Sequence, residues 1–412
     1  MPILRWSKNL KKLVRNHRII IANRNTGNWL KLSKECFDIL EEAMENKLSE
    51  DELLCIIVDE KDKIYFRELI SKIKELELFD NTDTDNSELN QVYFLITNRC
   101  NLNCIHCSMN ASQSKTDEYL DTNKIIYVLE QIIKMNPKQI VLSGGEPLIR
   151  KDFLEILTYL RNRFKGHITL MTNGVLINEG NINDIVNNID SIDLSIDGVD
   201  EESCSVIRGK GVFAKVINTI NLLHKIDFDK ISLSMVFGNR NYHILSDFYK
   251  LNCKYGTKPI PRAFSPIGRG KINADVFNQI FESNTKQVNF ETLRDTLKAC
   301  NCKACKKEIC VDYKGDIYPC ALLVKPQYFL GSMLNIQNIQ DVLDYSRQEN
   351  LSGYKEFLKL YPDKIEKCEK CDVNLFCWSC LHFSDIYKDS DEFNERCNEK
   401  KEALNKLIWD IE

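Results

Sequence analysis

Seventeen cysteines in a chain of 412 residues restrict what this sequence can become, because they are distributed so unevenly. Three stand at Cys100, Cys104 and Cys107, ten crowd the stretch from Cys300 to Cys397, and Cys36, Cys55, Cys204 and Cys253 stand alone. A reducing cytosol seldom supports disulfides, so thiols clustered in this way point to metal or redox chemistry. The four solitary cysteines read as small buried hydrophobes. Residues 1–6 lack the apolar core of a signal peptide, and no apolar run approaches the length of a membrane span. The cytoplasm is therefore the expected location, with no membrane partner. A formal charge of −4, from 56 basic and 60 acidic residues, gives no global pull toward nucleic acid.

Length and periodicity divide the chain into three expected domains. In residues 1–85, apolar residues 19–21, a turn over 23–28 and residues 29–32 predict a hairpin. Three helices follow, with Ser33 as N-cap for 34–46, Ser49 and Glu52 as a capping box, and 66–78 as the third. Residues 80–90 are polar and aperiodic, a linker. In residues 86–290, strands at 92–97, 140–143, 167–171, 191–195, 231–236 and 261–264 alternate with helical patterns. Such βα repeats predict an α/β fold on a parallel sheet, and six units suit a partial (β/α)6 TIM-like barrel as well as a doubly wound sheet. In either arrangement the loops after the strands' carboxyl ends carry the chemistry. Residues 291–412 are loop-rich and cysteine-rich, with a turn at Gly315 and an amphipathic end, and need metal to fold.

The first strand of the middle domain runs into Cys100, Cys104 and Cys107, a C-x3-C-x2-C spacing. Three thiolates can ligate three irons of a cubane and leave the fourth open. The competing reading is a zinc site completed by His106. The spacing, placed after a strand, resembles the signature of the radical S-adenosylmethionine (SAM) superfamily. That resemblance implies a [4Fe–4S] cluster whose open iron is chelated by SAM, and reductive cleavage of SAM to a 5′-deoxyadenosyl radical. It also puts His106 where an aromatic residue packs near adenine.

The next strand ends in Ser143-Gly144-Gly145-Glu146-Pro147, similar to the family's GGEP motif. Two glycines let a backbone come close to a ligand, and carbonyls with a carboxylate can receive an ammonium group, by resemblance that of SAM. Asn173 beside Gly174, and Ser195 with Asp197 beside Gly198, close the following two strands. The resemblance implies that these line the SAM ribose and carboxylate, and that Arg208 pairs with a carboxylate.

Cys368, Cys371, Cys377, Cys380 and Cys397, with Cys302 and Cys320 upstream, resemble the SPASM extension, which binds two auxiliary [4Fe–4S] clusters. Carried over by position, Cys320 and Cys380 with two of Cys300, Cys302, Cys305 and Cys310 would hold one cluster. Cys368, Cys371, Cys377 and Cys397 would hold the other. A zinc ribbon is the rival, because paired C-x2-C knuckles are also its pattern. Cys377 and Cys380 are separated by two residues where three are common.

Residues 1–85, notably 25–33 and 76–79, resemble the PqqD-like element of maturases that act on ribosomally made peptides. Such a winged-helix-like element captures an extended leader by strand addition. The implied enzyme is a peptide maturase of the sactisynthase or ranthipeptide-synthase kind, with a precursor peptide and a flavodoxin- or ferredoxin-like electron donor as partners. A thioether crosslink is the favoured product, ahead of a carbon–carbon bond or simple oxidation. An anaerobic sulfatase maturase falls behind, since Ala321 stands where that family carries an aspartate. An iron–sulfur or zinc redox sensor with a DNA-binding winged helix is the alternative of another class. Glu68, Glu75 and Glu77 on its third helix would repel DNA, so nucleic acid is not an expected partner.

Overall fold

The computed structural model describes residues 3–80, 88–112, 117–238, 241–277, 297–336, 340–343, 348–378 and 380–410. Most of the expected linker, and both expected domain boundaries, lie outside the described residues. Two compact units result, each drawn from separate stretches of chain. One comprises Met1–Ser87, Thr285–Lys303 and Phe357–Glu412; the other comprises Glu88–Asn284 and Ala304–Glu356.

The first unit opens with an antiparallel sheet, β1 (Leu10–Arg15), β2 (Arg18–Asn23) and β3 (Trp29–Ser33), in the order β1-β2-β3. The expected hairpin is thus three-stranded. Strand β1 pairs from Leu10↔Asn23 to Arg15↔Arg18, and Asn16 takes a φ of 53° in the tight turn between them. Only Leu13 of β1 is buried, so its charged residues hide the alternation that marks a strand. Helices α1 (Lys34–Glu45), α2 (Glu50–Ile56) and α3 (Glu60–Glu75) follow. Ser33 caps the first and the Ser49–Glu52 box caps the second, as expected, whereas Asp59 caps the third and starts it earlier than residue 66.

The apolar run at residues 19–22 is explained by burial on both faces of the sheet. Ile19 and Ile21 pack with Leu32, Phe37, Leu40 and Ile70 beneath the helices. Ile20 and Ala22 pack with Ala299, Phe376, Ile408 and Trp409 from the end of the chain. Trp29 ties the two stretches, donating from Nε1 to the Leu297 carbonyl at 2.8 Å and meeting Phe376 edge-on.

The second unit is built on six parallel strands: β4 (Gln91–Leu95), β5 (Gln139–Ser143), β6 (His167–Thr172), β7 (Ser191–Ser195), β8 (Ile231–Phe237) and β9 (Lys258–Ala263). Each pairs with the next in chain order, from β4 to β9. A doubly wound sheet reverses its order at a switch point, so this monotonic order selects the partial barrel. Helices α4 (Thr122–Lys134), α5 (Phe153–Arg163), α6 (Ile182–Val186), α7 (Glu201–Arg208), α8 (Val212–Lys225) and α9 (Leu245–Lys254) fill the crossovers. Beyond β4 the sheet continues through β10 (Glu308–Val311), parallel to β4, then β11 (Asp316–Tyr318) and β12 (Gly331–Ser332). Gly315, at φ 85°, makes the turn between β10 and β11.

The solitary cysteines depart from expectation. Cys204 is buried, Cys36 is half-buried, and Cys55 and Cys253 are exposed. In the helices that carry the last two, Leu53, Leu54, Phe248 and Leu251 take the inner face, which turns both thiols outward. Among the described residues no helix is long and apolar enough to cross a membrane.

Candidate active site

The loop after β4 brings Cys100, Cys104 and Cys107 to the carboxyl end of the barrel strands, where the neighbouring loops grip its backbone. Gly145 N donates to Thr97 O at 2.9 Å and Glu146 N to Arg99 O at 2.8 Å. A Cβ on Gly145 would fall 2.0 Å from Arg99 O, and one on Gly144 2.5 Å from Thr97 O. The two glycines therefore let this loop pack directly on the backbone of the cysteine loop. On the outer side Arg150, buried, pairs with Asp152 at 2.7 Å and with Glu118 at 3.1 Å. Glu118 also accepts from Thr97 Oγ1 at 2.7 Å and Arg99 Nη1 at 2.9 Å.

Glu146 is fully buried, and its carboxylate braces the next strand. It accepts from Thr172 Oγ1 at 2.7 Å, Asn173 N at 2.8 Å and Leu148 N at 3.1 Å. Burial pushes this carboxyl above its ordinary range, while those donors act in the opposite sense. Asn173 Nδ2 in turn reaches Asn101 Oδ1 in the cysteine loop at 2.8 Å.

Asp197, at φ 51° and almost wholly buried, is the second junction. It meets Arg208 through Nε at 2.7 Å and Nη2 at 2.6 Å, His106 Nε2 at 2.7 Å, and the Val236 amide at 2.6 Å. Although burial works against ionisation, Arg208 and His106 hold this carboxyl well below the usual carboxylate range. Arg208 Nη1 stands 3.9 Å from Cys104 Sγ. Arg208 therefore meets a carboxylate inside the protein, and His106 is hydrogen-bonded to the same group. Cys104, Arg208, Asp197 and His106 form one assembly; Cys100, Asn101, Asn173 and Glu146 form another. Ser195 Oγ lies apart, 3.4 Å from Ser234 Oγ, and Ser143 closes β5 half-buried, its carbonyl accepting from Ile96 N.

Sequence reasoning missed the clamp that follows β9. Arg269 donates from Nε to Cys104 O at 2.9 Å and from Nη1 to Ala111 O at 2.6 Å, and Asn273 Nδ2 donates to Ile105 O at 3.0 Å. A Cβ on Gly268, at φ 57°, would lie 2.4 Å from Cys107 O. The Gly-Arg-Gly run at 268–270 after the last strand was the available signal.

The donor sets fit iron–sulfur clusters. Burial pushes the Cys100 thiol up to about 12, and the negative charge of Glu146, Cys104 and Cys107 adds to this. Burial also raises Cys104, where Arg208 opposes the rise. Thiols so placed ionise only beside a cation, which thiolate-bound iron supplies. In the first unit Cys368, Cys371, Cys377 and Cys397 act on one another electrostatically, and burial pushes Cys368 to about 11 and Cys377 to about 12. Cys368, Cys377 and Cys397 share an apolar nest with Trp378, Tyr387 and Phe393. Of the other expected ligands, Cys305, Cys310 and Cys320 belong to the barrel unit, with Cys310 buried and close enough to Cys320 to feel its charge. Cys300, Cys302 and Cys380 belong to the first unit.

Comparison with known proteins agrees with this chemistry. Residues 94–251 match the radical SAM superfamily, and residues 302–372 match the iron–sulfur cluster-binding domain SPASM. The mycofactocin maturase MftC of Mycolicibacterium smegmatis is 25% identical over 278 residues, 61% of this chain and 69% of that protein. Native anSMEcpe with bound AdoMet shares the fold at a TM-score of 0.55 and 20% identity, over 78% of this chain and 97% of that one. Streptococcus suis SuiB bound to the precursor peptide SuiA does so at 0.51 and 15%, over 95% of this chain and 96% of that one. The cysteine loop at the barrel mouth thus falls inside a radical SAM domain, and Cys302 to Cys371 fall inside a SPASM domain, which makes the chain an enzyme whose cofactors are a [4Fe–4S] cluster, S-adenosylmethionine and auxiliary iron–sulfur clusters.

Proposed function

We propose that this enzyme is a maturase of a ribosomally made precursor peptide and that it closes a thioether crosslink in the peptide's core. The observation that carries the peptide reading is the sheet β1-β2-β3, in which β1 and β3 each have one strand neighbour among the described residues. An extended leader adds to such an edge through its main chain. The naming of a relative as mycofactocin maturase, and the fold shared along 95% of this chain with a protein solved on its precursor peptide, support the same reading.

In this reading residues 1–85 receive the leader, residues 86–290 house the chemistry, and residues 291–412 hold the auxiliary clusters. Cys100, Cys104 and Cys107 hold the cluster that works with SAM. Cys368, Cys371, Cys377 and Cys397 hold one auxiliary cluster. When bound, the first cluster and SAM supply a 5′-deoxyadenosyl radical able to take hydrogen from carbon. The chain's own residues shape the surroundings. Gly144 and Gly145 seat the cysteine loop against β5, Glu146 locks that loop to β6, and Asp197 orients Arg208 beside Cys104. Ser143, Asn173 and Ser195, at three successive strand ends, and His106 would help to hold SAM. A flavodoxin- or ferredoxin-like protein donates the electron.

The test is anaerobic reconstitution with iron, sulfide, SAM and dithionite, followed by addition of the small peptide encoded beside the gene. Production of 5′-deoxyadenosine and a peptide lighter by two hydrogens is the expected result, with alkylation showing one core cysteine lost to a thioether. Equal affinity for the peptide and for a version with a scrambled leader would refute the leader-binding assignment.

A further inference from the structure

The cysteine nest near the C-terminus lies in a stretch, residues 366–401, with nine acidic and six basic residues, yet cations are what it turns toward its own rings and thiols. Lys400 Nζ stands 5.0 Å from the Trp378 ring centre, Lys367 Nζ 4.8 Å from that of Phe393, and the Arg396 guanidinium 3.7 Å from that of Tyr387. Two of these rings are tied to a cysteine by sequence. Trp378 follows Cys377, and Phe393 stands one turn before Cys397 in the helix Phe393–Asn405. An aromatic face attracts a cation, so the shell of rings places positive charge beside the ligands.

The cations also act on the thiols directly. Lys400 Nζ donates to Cys377 O at 3.4 Å, Lys367 precedes Cys368, and Lys401 lies one helical turn beyond Cys397. Burial raises the Cys368, Cys377 and Cys397 thiols, and a lysine opposes the rise at each: Lys367 at Cys368, Lys400 at Cys377 and Lys401 at Cys397. Arg396 is paired with Glu392 at 3.4 Å, whereas among the described residues no carboxylate pairs with any of the three lysines. Their charge is not neutralised by a neighbour.

A cluster bound by four thiolates is anionic, and taking up an electron makes it more so. Positive charge nearby therefore stabilises the reduced form more than the oxidised one, which raises the reduction potential. We propose that Lys367, Lys400 and Lys401 set the reduction potential of the auxiliary cluster at Cys368, Cys371, Cys377 and Cys397, holding it above the value that four thiolates in an apolar nest would give. The inference rests on the assignment of those four cysteines to one cluster and adds what fixes its readiness to take an electron. Lys400 has the largest part, because it touches both a ligand's main chain and the ring beside that ligand.

The test uses the full iron-loaded chain without SAM, with dithionite as the electron source and EPR following the reduced clusters against solution potential. The signal of this cluster is the one that Cys371→Ala removes. In Lys400→Met the ratio of reduced to oxidised cluster, read where the wild-type cluster is half reduced, is expected to fall about tenfold, with the other signals unmoved. Lys400→Arg keeps the charge and should return the ratio close to the wild-type value. A packing role alone would broaden the signal or lower the iron content and leave the midpoint where it is, and an unmoved midpoint overturns the proposal. If Lys400→Met does not load iron, Lys401→Gln, at an exposed position of the same helix, decides by a shift in the same direction or its absence. Should Cys371→Ala keep its full iron content and every EPR signal, the ligand assignment fails first and takes the proposal with it.

Discussion

The cysteine loop after β4 and the cysteine nest near the C-terminus use the same ligand type in opposite surroundings. Around Cys100, Cys104 and Cys107 the neighbours are charged or polar: Arg208, Asp197 and His106 on one side, and Asn101, Asn173 and Glu146 on the other. Around Cys368, Cys371, Cys377 and Cys397 they are aromatic. Trp378 stacks on Tyr387, Arg396 covers Tyr387 at 3.7 Å, and Lys400 lies over Trp378 at 5.0 Å while donating to Cys377 O. The first group presents three thiols among charged and polar side chains; the second presents four thiols, three of them half-buried, among aromatic rings. In the proposed division of roles, ligand count and the polarity of the surroundings, rather than the cysteines themselves, would separate a site that reacts from one that stores or passes electrons.

The strongest way to break this comparison is at the ligands. Cys104→Ala should abolish 5′-deoxyadenosine formation in reconstituted protein; retained cleavage would place the reactive cluster elsewhere. Cys371→Ala should stop peptide product formation and lower the iron content by about four atoms per chain, yet spare SAM cleavage. Loss of both activities would show that the two sites are not independent. The charged wall comes next. Asp197→Asn deprives Arg208 and His106 of the carboxylate they share and should cost about 3–5 kcal/mol in guanidinium unfolding of iron-loaded protein. Gly145→Ala forces a methyl group onto Arg99 O and should cost about 1–3 kcal/mol, with weakened iron loading at the first site only.

The smallest effect concerns the sheet that packs on the stretch carrying the aromatic nest. Asp363 pairs with Arg24, whose guanidinium also lies 4.3 Å from the Tyr361 ring centre. Burial opposes ionisation of Asp363, but Arg24 and Lys11 outweigh it and hold the carboxyl below its ordinary range. Its folded pKa is the depressed one, so the stabilisation is complete above the unfolded value of about 3.9 and disappears as pH falls below that. The difference in urea midpoint between wild type and Asp363→Asn should stay constant from pH 8 to 5 and shrink below about pH 4.

Local sequence determined a good deal of this protein. Runs rich in β-branched and aliphatic residues set five of the six parallel strands, β9 with its two prolines being the exception, and the Ser33 and Ser49 caps started two of the first three helices, because caps and alternation act within a few residues. The cysteine spacings and the Gly-Gly-Glu-Pro turn identified the chemistry, since metal ligands and close backbone contacts tolerate few substitutes. Strand β1 stayed hidden because its outward lysines and arginine mask its one buried residue. Other features depended on what folding brings near. Only the tertiary structure made Glu146 a brace, paired Arg208 with Asp197, laid Arg269 across the cysteine loop, and set Ile20 against Trp409. Those contacts join residues from 11 to several hundred positions apart, and whether a charge meets a ligand or a neighbouring side chain is decided by geometry that no short stretch of sequence contains.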